Sequence, residues 1–134
     1  MANYYASARS NYFKVKNQDA FVQWVDSLSD CEAWTEGDRV GFCSNGGNCA
    51  GWPSMRLNEA TDEYEDLDIL QELSQHLAVG EVAVLMESGA EKLRYITGIA
   101  NAVNHKGEVV HVSIDEIYQR AFEQFGVMPT HAQY

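Results

Sequence analysis

Only two prolines, three cysteines and nine basic residues occur in the 134-residue chain, and each shortage excludes something. With so little proline, and with no glycine-serine tract, low-complexity stretch or internal repeat, nothing divides the chain, so residues 1–134 are expected to form a single domain. Cys31, Cys43 and Cys49 are odd in number and irregularly spaced, which excludes the disulfide framework of a small secreted fold and predicts reduced thiols. No apolar run approaches the roughly 18 residues that span a bilayer, and the opening stretch lacks the basic-then-apolar order of a secretion signal. A cytoplasmic location follows. Nine bases against 20 acids give a net charge of -11, which argues against direct binding to nucleic acid or to an anionic membrane.

What is present is the composition of a folded protein, 46% hydrophobic and 11% aromatic. The acids are unevenly placed: from Asn17 to Glu91 there are 16 against Arg39 and Arg56, a local charge of -14, whereas the rest of the chain is at +3. Such a field attracts basic partners, and it does so most strongly at low salt.

Hydrophobic periodicity gives a coarse order of βαββαβββα, an α+β fold with a mostly antiparallel sheet and about three helices packed largely on one face. Tyr4 to Val15 reads as a first strand, with Phe13 and Val15 on one side of it. Asn17 caps a helix whose apolar stripe is Phe21, Trp24, Val25 and Leu28. Cys31–Thr35 and Arg39–Cys43 form a hairpin about Glu36-Gly37-Asp38. Residues 44–58 are glycine-punctuated and read as an irregular loop. An acidic run from 59 to 68 then leads into a second helix with Leu70, Leu73 and Leu77 inward and Gly80 as its stop. Val82–Glu87, Leu93–Val103 and Glu108–Ile114 are strands, the last two joined at Asn104-His105-Lys106-Gly107. Ser113 and Glu116 have capping-box spacing before a third helix striped with Ile117, Ala121, Phe122 and Phe125 and ended by Gly126.

No catalytic residue, metal site or cofactor is expected. Cys49, in a glycine-rich turn before Trp52, superficially resembles a thiol nucleophile, but Pro53 disfavours the helix that would lower its pKa. Cys43 and Cys49 lie six apart with no second close pair, which does not match zinc spacing; His111 belongs on an exposed strand face and His105 in a turn. The acidic run lacks the glycine of a calcium loop, for the sixth position from Asp62 is Leu67. A surface reading is left: Glu59, Asp62, Glu63, Glu65, Asp66 and Asp68, with Trp52 as an aromatic anchor, are the candidate partner-binding residues.

Three stretches, Ala6 to Lys16, Gly51 to Ser54, and Gly80 to Glu87 continuing through Lys92 to Gly98, resemble small acidic proteins carried by bacterial phages and other mobile elements. The resemblance brings no activity and no functional residues. It implies a context in which small acidic proteins often inhibit host defence enzymes. The expectation is therefore a non-enzymatic protein that presents a negative face to a basic protein surface, as such an inhibitor or as a nucleic-acid mimic. The partner would be a nucleic-acid-handling protein. The alternative is a small cytosolic enzyme or ligand-binding domain using the Cys43 to Trp52 loop. An unpaired edge strand would also let a second copy pair into a homo-oligomer.

Overall fold

The computed structural model describes residues 4–44, 51–91 and 95–132, which form one α+β domain. Six strands, β1 (Tyr4–Ser10), β2 (Cys31–Glu36), β3 (Arg39–Ser44), β6 (Val82–Glu91), β7 (Tyr95–Asn104) and β8 (Val109–Ser113), make a sheet in the order β2-β3-β1-β6-β7-β8. All of its pairings are antiparallel. Two further strands, β4 (Met55–Asn58) and β5 (Glu63–Asp66), form a separate ribbon. The helices are α1 (Gln18–Asp26), α2 (Ile69–His76) and α3 (Glu116–Phe125). Among the described residues no helix is long and apolar enough to cross a membrane.

Because strand side chains alternate, the register assigns each residue to one of two faces. One face carries Ala8, Val40, Phe42, Ala83, Leu85 and Val103, all buried. Helices α1 and α2 close over it, contributing Phe21, Val25 and Leu73, with Leu28 and Leu77 just beyond their ends. Phe21 is the hub: its ring meets Phe13 at 5.6 Å and Phe42 at 5.7 Å, both edge-on, the geometry aromatic quadrupoles favour. Asn17 caps α1 as the sequence predicts, its Oδ1 accepting from Ala20 N–H at 2.9 Å.

The first strand is shorter than its pattern suggests. At Asn11 the side-chain amide takes over the ladder, accepting from Val84 N–H at 2.8 Å and donating to the Val82 carbonyl at 3.2 Å. Beyond it Phe13 and Val15 pair only singly, with Val40 and Leu77. That second bridge also ends α2 early. Leu77 is extended rather than helical, Ala78 N–H donates to the Lys14 carbonyl, and Lys16 N–H to the His76 carbonyl, so the helix stops before Gly80.

The largest departure lies at 55–66, where the irregular loop and the start of the acidic run form the β4–β5 hairpin instead. Its turn is built by Asn58, whose Oδ1 accepts from Ala60 N–H, and by Asp62 in the left-handed region at φ 57°. The third helix ends as expected, with Gly126 at φ 77°, but only half of the capping box forms: Glu116 accepts from Ser113 N–H at 2.7 Å, whereas the Ser113 hydroxyl accepts from Asp115 N–H and the N-cap, Asp115, makes no side-chain cap bond. Its apolar stripe, however, is not buried: no residue of α3 is enclosed, and Phe125 is 76% exposed.

Candidate functional site

The acidic run sits on a ribbon held outside the main sheet. All four residues of β5 are exposed, as are Glu59, Asp62 and Asp68, so the six predicted carboxylates do share one accessible element or its flank. They are not equivalent. Asp68 caps α2 through Gln71 N–H, and Glu65 accepts from Asn58 Nδ2 and lies 3.7 Å from Arg56. Glu59, Asp62, Glu63 and Asp66 face no cation within salt-bridge distance among the described residues. These four are the carboxylates open to a partner.

A polar clamp fixes the ribbon to the body. Arg56, opposite Glu65 in the hairpin, donates through both guanidinium nitrogens to Glu72 on α2, at 2.6 and 3.2 Å. Glu72 Oε1 also accepts from the Trp24 indole N–H at 3.0 Å. Burial penalises the charge on Glu72, yet the bonds from Arg56 and Trp24 outweigh it and hold the carboxyl below its usual range. Arg56 is correspondingly raised by its bond to Glu72. His76 lies against Trp24, ring centroids 5.2 Å apart, and burial keeps it below the ordinary histidine value. Nothing in the spacing of Arg56, Glu72 and Trp24 marks them as a group, because the hairpin that brings them together is itself hard to read in the sequence.

Trp52 does not join the carboxylates. It is half-buried, its ring 4.9 Å from Phe42, and its backbone N–H donates to Glu87 at 3.0 Å. Its place is on the core, where burying a large ring outweighs leaving it in a loop.

The rival loop from Cys43 to Trp52 is described only at its ends, and Cys49 lies outside the described residues. The two described cysteines are not poised as nucleophiles. Burial pushes the Cys31 thiol up to about 11 against a hydrogen bond from Ser44, and burial also raises Cys43, with Glu32 adding repulsion. His105 is in a turn and His111 on an exposed strand position, bonded to Asn101 at 2.7 Å. Among the described residues no three His, Cys, Asp or Glu side chains are grouped to hold a metal ion.

No family model, no curated protein and no solved structure matches the chain. The geometry alone therefore carries any functional reading.

Proposed function

We propose that this chain is a non-enzymatic binding protein whose β4–β5 ribbon docks on a basic surface of a nucleic-acid-handling protein, occupying it as an inhibitor or mimic would. The observation that supports the reading is the ribbon itself, exposed at every residue of β5 and carrying four carboxylates that face no cation within salt-bridge distance among the described residues. Alternate positions on a strand lie about 7 Å apart, so Glu63 and Glu65 project from one face while Asp66 points to the other. A clamp of charge-assisted bonds holds this comb in place, which reduces the ordering cost of docking it. The setting suggested by the resemblance to mobile-element proteins fits such a role.

The test replaces Glu59, Asp62, Glu63 and Asp66 by lysine, leaving the structural Glu65 and Asp68 in place. Proteins captured from host lysate at low salt should be released by the substitutions, by added salt and by competing duplex DNA. Capture that survives all three would refute the proposal.

A further inference from the structure

The second face of the sheet, opposite the core, is closed at one end only. There Trp34 lies over Gly41 with Tyr12 edge-on at 6.0 Å and the Arg9 guanidinium 5.2 Å above its ring. Over β6, β7 and β8 this face is open among the described residues. Val82, Met86, Val110, Val112 and Ile114 are exposed on this face, and Gly98 and Ala100 on β7 form the floor of a groove of about 550 Å³ between Met86 and Val112. Such a bare apolar sheet face is a surface that a helix covers in most α+β folds.

The chain also carries a helix without a surface. On α3, Ile117, Phe122 and Phe125 are 60%, 45% and 76% exposed, while Tyr118 and Gln119 line a pocket together with Ile96 and Thr97 of β7. The C-terminal segment packs at the same place, where His131 stacks on Tyr118 at 4.3 Å and Ala132 N–H donates to the Tyr118 hydroxyl. One copy therefore presents both halves of a helix-on-sheet contact, each unfilled. The two surfaces are continuous at Ile114, whose carbonyl accepts from Ile117 N–H.

We propose that the protein is a homodimer in which α3 of each copy lies in the apolar groove on the open sheet face of the other. Dimensions agree. A helix of ten residues is about 15 Å long, and the groove runs from Arg9 on β1 to Ile114 past β8, four strands or about 14 Å. The eight exposed apolar residues named on the face and on α3 present on the order of 800 Å², what one partner contributes to a standard interface. Charge agrees as well. On the described positions of this face in β1, β6, β7 and β8 there is no carboxylate, and Arg9 is its one charge, so two copies of net charge -11 approach here with least repulsion. Because the contact is reciprocal, it closes as a two-fold dimer rather than growing into a filament.

The test is sedimentation velocity on the full chain and on two variants. Phe122→Ser with Phe125→Ser strips the exposed stripe of α3; Ala100→Glu places a charge in the groove floor. Wild type should sediment as two chains at micromolar concentration and each variant as one, with circular dichroism and melting temperature of the α3 variant unchanged from those of the isolated wild-type monomer on dilution. Mixing the two variants should restore dimer, weaker than wild type, because one helix and one groove remain intact. A wild-type monomer would overturn the proposal, whether α3 stays free or folds over its own sheet. So would a dimer insensitive to both variants, which would point to pairing along the β8 edge instead.

Discussion

Replacing Arg56 by methionine tests how the acidic ribbon is held, because methionine keeps the apolar stem and removes the charge. The substitution deletes two charge-assisted hydrogen bonds to Glu72, at 2.6 and 3.2 Å, and leaves that carboxylate with the Trp24 indole as its remaining bond from these two partners. Each such bond contributes about 1.5–3 kcal/mol where water is excluded. Here the two side chains are 24% and 29% exposed, and solvent screening brings the expected loss for the pair to about 2 kcal/mol. With an unfolding entropy of about 2.1 cal/mol/K per residue over 134 residues, the melting temperature should fall by about 7 °C. The deficit has a pH signature. The carboxyl of Glu72 is held below its usual range in the folded protein, so its stabilisation is present above about pH 4.3, the ordinary glutamate value, and disappears as pH falls through the folded value. Wild type and variant should therefore differ at pH 7 and converge in acid, as read by urea unfolding followed by tryptophan fluorescence. A difference below about 0.5 kcal/mol, or one that persists unchanged at pH 2.5, would show that the clamp contributes nothing beyond packing.

Three other outcomes follow from separate parts of the fold. A Cβ added at Gly41 would stand 2.5 Å from the Trp34 indole nitrogen, so Gly41→Ala should cost about 1–3 kcal/mol in chemical unfolding and change the Trp34 emission as the ring lifts. His76 is kept neutral by burial, opposed by Glu72 and assisted by Lys16, while the unfolded chain takes up its proton from about pH 6.5 downward. Stability should thus fall as pH drops below about 6.5 until the folded value is passed, and His76→Phe should remove that slope in thermal melts. With its pKa near 11, Cys31 in a Cys43→Ser, Cys49→Ser variant should react with iodoacetamide at pH 8 about two orders of magnitude more slowly than in denaturant.

The elements with strong periodicity are legible in the sequence. The α1 stripe, the β2–β3 and β7–β8 hairpins and the glycine stop of α3 stand where the residues place them, because each is decided by contacts within a few residues. The β4–β5 ribbon was not legible. Glu63-Tyr64-Glu65-Asp66 is a poor strand by propensity, and the hairpin is held by a partner of Arg56 that the local pattern cannot reveal: Glu72 lies 16 residues from Arg56 in the chain. The premature end of α2 has the same origin, a bridge to Val15 from across the fold. The acidic character of the candidate site was thus plain in the sequence, whereas the division between structural Glu65 and Asp68 and the four unpaired carboxylates needed the geometry. The stripe of α3 is plainly apolar in the sequence, but a stripe does not say which sheet it covers.

The placement of the acids separates two modes of association that a chain of net charge -11 would otherwise confuse. Carboxylates cluster on the ribbon, clipped to α1 and α2 on the core side of the sheet, whereas the opposite face over β6 to β8 has none among its described residues. Docking of the ribbon on a basic partner is an attraction between unlike charges and weakens as salt screens it, while self-association through α3 and the open face is driven by apolar burial against net repulsion and strengthens with the same salt. The two surfaces lie on opposite sides of one sheet, so a dimer would leave both ribbons exposed. A two-fold copy would then present two acidic combs at once, and a partner with two basic sites would bind it more tightly than either ribbon alone by the effective concentration of the second. Loss of the α3 stripe should accordingly weaken capture of such a partner without touching a single carboxylate.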